Sequence, residues 1–297
     1  MCRHLAYLGP PRTLSQVLLE PPHGLLEQAW APSDMRGGGT INVDGFGAGW
    51  YPPLASGDGV SDPVAAVTGD DVSSRAVRAG SAGVPVRMRS VQPIWSDTSF
   101  AAVARVTVAT GVLGAVRAAS PGMPVVSTAN APFTEDRWLF SHNGMVFGWP
   151  DALEALGATL PVLDLMTLDA PTDAALIWAL VRHRLRAGHD PADVLAGTVR
   201  AVDEASPGSR LNLLLTDGTT IWATAWRHAL AVHTVSAADG NAPSVTVASE
   251  PTDAHLDWTQ VPDRHLVVAR PGHHELYPLD TPEHPVAASG RGTEGAR

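Results

Sequence analysis

The order of predicted elements along this 297-residue chain indicates an α+β fold in which two β-sheets pack together and helices cover their outer faces. Three observations support that prediction. Short apolar strand candidates fill the first half of the chain, two consecutive amphipathic helices follow, and a second group of strand candidates comes after the helices. With 44% hydrophobic and 17% charged residues, the chain has enough apolar side chains to build a full core.

Four strand candidates lie in the N-terminal half. Residues 3–8 form a short apolar run, and residues 42–51 (NVDGFGAGWY) alternate small and aromatic side chains, with glycines that indicate close backbone approach. Residues 112–116 and 138–146 are the other two candidates. The last of these contains Asn143-Gly144, a strong turn signal, so we expect the chain to turn tightly there.

Three segments lack a core-forming pattern. Residues 54–87 are rich in Ser, Gly, Asp and Ala with weak periodicity, which predicts a flexible surface insertion. Residues 151–168 show little regular pattern. From residue 281 onward Pro, Gly, Ala and charged residues dominate, which predicts a disordered tail over residues 281–297. The sequence therefore predicts a single domain over residues 2–280.

From Thr172 and Asp173 onward, the spacing of apolar residues becomes that of a helix. Either residue can cap this helix, which ends near Gly188. A second helix starts with Pro191 in its first turn and stops around residues 206–208. The buried face of the first helix is formed by Leu176, Ile177, Leu180, Val181 and Leu185.

The remaining strand candidates follow these helices. Residues 211–215 and 220–225 are separated by Asp217-Gly218, which predicts a β-hairpin. Three further candidates complete the pattern, over residues 229–235, 244–248 and 265–269.

The net charge and the cysteine count exclude several classes of function. A formal net charge of −10 disfavours nucleic-acid and anionic-membrane partners, both of which bind basic surfaces. No apolar run reaches membrane-spanning length, and the N-terminus does not begin a signal peptide. The single cysteine rules out an internal disulfide framework and a cysteine zinc cage. We therefore expect a cytoplasmic protein that needs no metal and no other cofactor.

Cys2 directly follows Met1 and is the only cysteine in the sequence. Methionine aminopeptidase removes Met1 when the second residue is small, which would leave a thiol and a free α-amine on one residue. A thiolate is a strong nucleophile, and an α-amine with a pKa of roughly 8 can accept its proton at neutral pH. Cys2 is therefore a candidate nucleophile that carries its own base; the alternative is a small buried hydrophobic residue.

Two charged residues at the ends of predicted elements are candidate ligands for a charged substrate. Arg117 follows an apolar strand, where its guanidinium can hold a carboxylate through two parallel hydrogen bonds or can simply lie in solvent. Asp173 begins a helix, where its carboxylate can bind an ammonium group or merely cap the helix. The residues alone leave both pairs of alternatives open.

The sequence Asn143-Gly144 offers an asparagine amide beside a glycine N–H. On a tight turn, both donors can point at one developing oxyanion, and the alternative is a hairpin turn without a catalytic role. The glycine-rich residues 44–49 do not match GxGxxG and no Gly-Lys-Ser/Thr follows, so they predict a tightly packed strand and not a phosphate loop.

The order of these features resembles the class II glutamine amidotransferases, which are N-terminal-nucleophile hydrolases with a four-layer αββα sandwich of two antiparallel sheets. This chain resembles their stand-alone form from Cys2 to about Arg270, apart from residues 54–87. Further motifs make it most similar to the γ-glutamyl amidases of ergothioneine biosynthesis. These motifs are MCRHLAYLG at residues 1–9, PIWSDTSF at 93–100, VRAASPGMP at 116–124, PF at 132–133, HNG at 142–144, RLN at 210–212, ASEP at 248–251 and VPDRHL at 261–266.

The resemblance implies three catalytic positions. Cys2 matches the nucleophile and its α-amine the general base, while Asn143 and Gly144 match the oxyanion hole. The implied reaction hydrolyses the γ-glutamyl amide bond of γ-glutamyl-hercynylcysteine S-oxide through a Cys2 γ-glutamyl thioester, and it releases glutamate and hercynylcysteine S-oxide. The partner is thus a small molecule, and the oligomeric state stays open.

The resemblance also implies three substrate-binding positions. Arg117 matches the arginine that holds the glutamyl α-carboxylate, Ser120 stands in the place of a hydroxyl that assists it, and Asp173 matches the acid that binds the α-ammonium. The chain departs from the synthase-linked amidotransferases in having Arg-Ala-Ala-Ser-Pro at residues 117–121 where they commonly carry Arg-Trp-Ala-Thr-His. That difference leaves the closure of the site open.

Two alternative functions remain at this point. The chain can be a glutamine-hydrolysing subunit that supplies ammonia to a separate synthase, although about 270 ordered residues leave no room for a synthase domain of its own. It can also be a non-catalytic binding module. A bulky leaving group would favour aromatic side chains around the site, and the candidates for that role or for plain core packing are Phe46, Trp50, Trp95 and Phe100.

Overall fold

Two antiparallel β-sheets lie face to face in the computed structural model. The seven-stranded sheet has the strand order β11-β9-β10-β1-β4-β2-β3, and the six-stranded sheet has the order β13-β12-β8-β7-β6-β5. The structure describes residues 2–34, 41–53, 83–254 and 257–280. The strands are β1 (Arg3–Thr13), β2 (Phe46–Tyr51), β3 (Val86–Ser90), β4 (Val108–Val116), β5 (Phe133–Glu135), β6 (Trp138–Met145), β7 (Arg210–Thr216), β8 (Ile221–Ala225), β9 (Ala231–Val235), β10 (Ser244–Ala248), β11 (Thr259–Gln260), β12 (His265–Arg270) and β13 (His273–Pro278).

Helices cover the outer face of each sheet. The first three helices pack on the seven-stranded sheet, and α6 and α7 pack on the six-stranded sheet. The predicted four-layer αββα sandwich is therefore confirmed. The helices are α1 (Leu14–Leu18), α2 (Leu25–Gln28), α3 (Thr98–Val106), α4 (Glu154–Gly157), α5 (Val162–Met166), α6 (Asp173–Arg186) and α7 (Pro191–Ala205).

The space between the two sheets, termed the inter-sheet layer, is filled by alternate residues of the facing strands. Side chains in a strand point to opposite faces in turn, so every second residue faces the other sheet. On β1 these residues are His4, Ala6 and Leu8, and on β6 they are Leu139, Ser141 and Asn143. Each strand thus carries polar residues at one end of the layer and leucine at the other end.

The predictions for the central helices and the hairpin are confirmed. Thr172 caps α6, since its hydroxyl accepts a hydrogen bond from Ala175 N at 3.2 Å. The second helix begins with Pro191, and its cap is the carboxylate of Asp190. β7 and β8 pair as the predicted hairpin around Asp217-Gly218.

The predicted turn at Asn143-Gly144 is wrong. β6 continues to Met145, because Asn143 and Gly144 lie opposite Asn212 and Leu211 of β7 in a regular antiparallel ladder. A local turn signal is outweighed here by pairing with a strand that is distant in sequence.

Residues 151–168, where the sequence shows little regular pattern, contain α4 and α5. α5 leaves Val162, Leu163 and Met166 between 69% and 78% exposed. A short helix with exposed apolar residues has no amphipathic period, and so the pattern had no signal to detect.

The predicted insertion and tail fall largely outside the described residues, which exclude 54–82 and 281–297. Residues 86 and 87, at the end of the predicted insertion, belong to β3, which pairs with β2 at the edge of the seven-stranded sheet. The longest helix in the described part of the chain has 15 residues. None there combines the length and the apolar character that crossing a membrane requires.

Candidate active site

A cleft opens where the two sheets end together, and it collects residues that are far apart in sequence. Five of the six predicted site residues line it. They come from the residue before β1, the segment after β4, the end of β6 and the start of α6. These five residues are Cys2, Arg117, Ser120, Gly144 and Asp173.

Cys2 lines the cleft and stands immediately before β1. Its side chain is half-buried, and its Sγ lies 3.8 Å from the carbonyl oxygen of Ala118. The backbone beside it is anchored, because the buried guanidinium of Arg3 donates from Nη1 to the Cys2 carbonyl oxygen at 3.0 Å. The thiol is therefore accessible from the cleft while the residue that carries it is held in place.

Arg117 follows β4, and its backbone continues the pairing with the neighbouring strand segment. Its N–H donates to Gly45 O at 2.8 Å, and its carbonyl accepts from Asp44 N at 3.0 Å. Asp44 also accepts a hydrogen bond from Ala119 N at 2.7 Å, which holds the segment that carries Arg117 and Ser120. Because Gly45 has φ +112°, only glycine takes that position without strain.

The guanidinium of Arg117 is half-buried, and within the described residues it makes one hydrogen bond, from Nη1 to Pro124 O at 2.8 Å. No carboxylate within the described residues forms an ion pair with it. A guanidinium that faces a cleft with donors to spare is suited to bind an incoming carboxylate.

Asp173 places a carboxylate on the opposite wall of the cleft and is 8% exposed. Its Oδ2 accepts from Val146 N at 3.0 Å, and its Oδ1 accepts from Ala174 N at 2.8 Å. These bonds and the positive end of the α6 dipole stabilise the negative charge. Since Thr172 performs the capping, the charge of Asp173 remains available for a cationic ligand.

Asn143 is the predicted site residue that the cleft lining does not include. It is fully buried, and its amide lies in the inter-sheet layer behind the cleft, where Nδ2 donates to Ser249 Oγ at 3.0 Å. That bond uses one of the two amide N–H groups. Oδ1 of Asn143 has no partner among the described residues.

Gly144 and its neighbour His142 line the same end of the cleft. An added Cβ at Gly144 would lie 1.8 Å from Arg210 O, so no larger residue fits while β6 and β7 stay paired. The Nε2 atom of His142 forms a hydrogen bond with the same carbonyl at 3.0 Å. Close strand approach therefore brings the Gly144 backbone to the cleft.

His4 lies under the nucleophile in the inter-sheet layer and is fully buried. Its Nδ1 forms a hydrogen bond with Ser141 Oγ at 3.2 Å. The pKa of His4 is held well below its ordinary value of 6.5. Burial is the largest cause, and the positive charges of the nearby His228, His142 and Arg3 lower the pKa further. The imidazole is thus neutral in the folded protein at neutral pH.

The four aromatic candidates for the leaving-group pocket do not line this cleft. Phe46 and Phe100 are fully buried and pack against each other beneath the seven-stranded sheet, and Trp50 packs against the same cluster. Trp95 is 39% exposed and makes an edge-to-face contact with Trp30, with ring centroids 5.7 Å apart. Core packing accounts for the first three.

Sequence reasoning missed the residues that hold the site together. Asp44, Ser249 and Glu250 lie in segments that carry the glycine pattern or the family resemblance, and the sequence indicated no separate role for them. Their backbone and side-chain partners lie on distant segments, so spacing gave no signal. Within the described residues, no group of three or more His, Cys, Asp or Glu side chains could hold a metal ion.

Comparisons with known proteins identify close relatives. The chain is 37% identical over 279 residues to the γ-glutamyl-hercynylcysteine sulfoxide hydrolase of Mycolicibacterium smegmatis, an alignment that covers 94% of this chain and 100% of that protein. It is 36% identical over 268 residues to the protein of the same name from Mycobacterium tuberculosis, and that alignment covers 90% of this chain and 92% of that protein. No family model matches the chain.

Solved structures agree with the fold. A glutamine aminotransferase class-II domain protein from Silicibacter pomeroyi aligns with a TM-score of 0.59 and 21% identity, covering 94% of this chain and 100% of that one. The glutamine phosphoribosylpyrophosphate amidotransferase of B. subtilis aligns with a TM-score of 0.58 and 12% identity, covering 94% and 49%. At these identities the likeness concerns the fold alone.

Proposed function

The chain belongs to the family of γ-glutamyl-hercynylcysteine sulfoxide hydrolases, and we propose that it hydrolyses the γ-glutamyl amide bond of γ-glutamyl-hercynylcysteine S-oxide to glutamate and hercynylcysteine S-oxide. The enzyme is a hydrolase of the amidohydrolase type. The proposed reaction corresponds to the step in ergothioneine biosynthesis that the sequence resemblance implied.

One structural observation supports the proposal most directly. The same cleft holds a thiol, a guanidinium and a carboxylate, on Cys2, Arg117 and Asp173. A γ-glutamyl group ends in a free α-carboxylate and a free α-ammonium, which are the complements of the last two charges. The thiol is then left to face the γ-carbonyl, and that arrangement supports γ-glutamyl transfer to Cys2.

In the proposed acylation step, the Cys2 α-amine left by removal of Met1 takes the thiol proton, and the thiolate attacks the γ-carbonyl carbon. The carbonyl oxygen becomes an oxyanion, which the Asn143 amide and the Gly144 N–H stabilise. The C–N bond then breaks as the α-ammonium returns its proton to the leaving nitrogen. The products of this step are a γ-glutamyl thioester on Cys2 and free hercynylcysteine S-oxide.

In the proposed deacylation step, the α-amine takes a proton from water, and the hydroxide attacks the thioester carbonyl. A C–O bond forms, the C–S bond breaks, and the thiol regains its proton. The same two donors stabilise the second oxyanion. Glutamate then leaves, and Cys2 is restored without any cofactor.

Substrate specificity follows from the paired charges. Arg117 and Asp173 together require a donor with an unblocked α-amino acid head, and Ser120 lies three residues after Arg117 on the same wall. A donor that lacks either charge would leave a buried charge of the protein without its partner, which costs binding energy.

We further propose that the enzyme acts in the cytoplasm on this small molecule, without a nucleic-acid or membrane partner. The net charge of −10 supports that view, because nucleic acids and anionic lipids repel a negative surface.

The test compares kcat/KM for γ-glutamyl-hercynylcysteine S-oxide and for glutamine, both followed by glutamate release, on protein whose intact mass begins at Cys2. We expect a preference of at least about 100-fold for the conjugate, because leaving-group contacts add to transition-state binding. Higher kcat/KM on glutamine would instead support an ammonia-supplying subunit.

Cys2→Ala is the matched control for the nucleophile. Alanine is also small, so Met1 is still removed and the α-amine is kept, and only the sulfur is lost. We expect the folded variant to lose at least about 1,000-fold in kcat, since the residual rate comes only from binding and the oxyanion donors. Glutamate release at the wild-type rate by this variant would disprove the thioester route.

A further inference from the structure

We propose that Ser249 and Glu250, which directly follow β10, are positioning residues for this reaction. Ser249 orients the amide of Asn143, and Glu250 fixes the backbone of Cys2 by holding Arg3. The inference rests on the proposed function, because it takes Cys2 and Asn143 as the groups that act on the γ-carbonyl.

The hydroxyl of Ser249 is 1% exposed and is fully committed to three partners. It accepts from His4 N at 3.0 Å and donates to His4 O at 3.2 Å. Its third partner is Asn143, whose Nδ2 donates to it at 3.0 Å. Because the single hydroxyl hydrogen goes to His4 O, Ser249 can only accept from the amide.

This commitment decides which way the Asn143 amide points. The amide must turn an N–H toward Ser249, which sets the position of its second N–H as well. Without the hydroxyl, the amide can rotate by half a turn and exchange oxygen for nitrogen at little cost. An amide oxygen beside a developing oxyanion repels it, whereas an N–H stabilises it. Ser249 therefore keeps the amide in the productive orientation.

Glu250 acts on the nucleophile from the other side. The guanidinium of Arg3 is 1% exposed and donates from Nε to Glu250 Oε1 at 2.8 Å and from Nη1 to Cys2 O at 3.0 Å. A buried guanidinium needs a counter-charge, so Glu250 is what keeps Arg3 beside Cys2. The second carboxylate oxygen is held by Ser33 N at 2.7 Å and His23 Nε2 at 2.8 Å.

Consecutive residues of one backbone segment thus reach both reacting parts of the site. Ser249 holds the oxyanion donor, and Glu250 holds the nucleophile through Arg3. The distance between thiol and donor is therefore set by one short stretch of chain. Small displacements of reacting groups have large kinetic costs, of about 100-fold for roughly 1 Å, so both side chains should influence kcat although neither touches the substrate.

A double-mutant cycle tests the role of Ser249. We expect Ser249→Ala to lower kcat by at least about tenfold with KM changed by less than about threefold, because the oxyanion is formed only in the transition state. Asn143→Ala alone should lower kcat further. The kcat of the double variant should match that of Asn143→Ala within about threefold. Ser249 acts on kcat only through the Asn143 amide, so its removal has no further effect once that amide is gone.

Thr216→Val is the matched control for loss of a buried hydroxyl. Thr216 is also fully buried, accepts from Gly218 N at 3.1 Å and donates to Thr220 O at 2.8 Å, at the opposite end of β7. We expect it to lower Tm as Ser249→Ala does but to leave kcat unchanged. A Ser249→Ala variant with wild-type kcat, or a double variant whose losses multiply, would overturn the role of Ser249.

Glu250→Gln tests the second half of the proposal, since glutamine keeps the size and removes the charge. We expect kcat to fall by at least about tenfold while the rate of Cys2 alkylation by iodoacetamide stays within about threefold of wild type. A lower kcat with an unchanged alkylation rate indicates that the thiol is present and accessible in a folded protein but displaced from its reactive position. If Glu250→Gln does not fold, Glu250→Asp is the second variant, because it keeps the charge but places it one methylene farther from Arg3. It should show the same lower kcat with an unchanged alkylation rate. Unchanged kcat in the folded variant would overturn the role of Glu250.

The proposed function and the positioning roles fail in different ways. If the wild-type protein does not release glutamate from the conjugate, or if Cys2→Ala still does, the proposed function is wrong. If the wild type and Cys2→Ala behave as expected but Ser249→Ala and Glu250→Gln keep wild-type kcat, only the positioning roles are wrong.

Discussion

The two ends of the inter-sheet layer are equally buried and chemically opposite. At the end beneath the nucleophile, the layer contains the polar side chains of His4, Ser141, Asn143 and Ser249, each at most 1% exposed. At the other end the same strands contribute leucines, which pack with apolar residues of both sheets. The apolar end includes Leu8, Tyr51, Leu113, Leu139, Ile221 and Val232.

The difference shows that the polar end of the inter-sheet layer stabilises the fold less than the apolar end does. Burying an amide, an imidazole and two hydroxyls is costly unless each is hydrogen-bonded, and Asn143 Oδ1 and His4 Nε2 have no partner within the described residues. An apolar filling of the same space would be more stable. The polar end lies against Cys2 and the cleft, so we attribute its composition to the proposed reaction and that of the apolar end to folding.

Among changes within the inter-sheet layer, Asn143→Ala at the polar end should have the largest effect, and it should affect activity alone. Loss of one oxyanion donor lowers kcat by about 100- to 1,000-fold. The free energy of unfolding should stay within about 1 kcal/mol of wild type, because Ser249 keeps its bonds to His4. Steady-state kinetics and urea unfolding of one preparation measure both quantities. A large loss of stability with little loss of kcat would reverse the assignment.

Leu139→Ala should do the opposite at the apolar end of the same strand. Leu139 is fully buried and lies against Gly49 of the facing sheet, so its removal leaves a cavity. We expect the free energy of unfolding to fall by about 3 kcal/mol while kcat stays within about twofold of wild type. Urea unfolding monitored by tryptophan fluorescence measures the loss. If kcat falls together with stability, the two ends are coupled and the contrast between them fails.

Asp173→Asn should separate substrate binding from bond breaking. Asp173 lines the wall of the cleft at the start of α6 and is not part of the inter-sheet layer. Loss of its charge should weaken binding of the α-ammonium by about 2 kcal/mol, which appears mainly as a higher KM. Asp190→Asn is the matched control, because Asp190 also accepts backbone N–H groups at a helix start, outside the cleft. Equal KM for the two variants would argue against the ammonium site.

The smallest expected effect is a pH dependence of stability that comes from His4. Since the folded pKa is held well below 6.5, the unfolded state binds a proton first as the pH falls. The free energy of unfolding is therefore unaffected by His4 well above pH 6.5, and it falls by up to about 1.4 kcal/mol as the pH is lowered to 5.5. Urea unfolding at pH 7.5 and 5.5 should show this loss in the wild type and a smaller one in His4→Gln. An identical pH slope for both proteins would exclude His4 as the source.

The local pattern determined the parts of this protein that depend on neighbouring residues. The apolar spacing and the Thr172 cap predicted α6, Pro191 predicted the start of α7, and Asp217-Gly218 predicted the hairpin. The chemistry of an N-terminal thiol singled out Cys2 before any contact was known. These features follow from backbone geometry and side-chain chemistry within a few residues.

Only the tertiary structure decided how the site is assembled. Asn143-Gly144 carries a turn signal yet forms a strand, because β7 pairs with it across more than sixty residues of chain. The hydrogen bond from Asn143 to Ser249 joins residues 106 apart, and the ion pair of Arg3 with Glu250 joins residues 247 apart. Local pattern cannot specify such contacts, because their free energy exists only once both sheets have packed and water has been excluded from the layer between them.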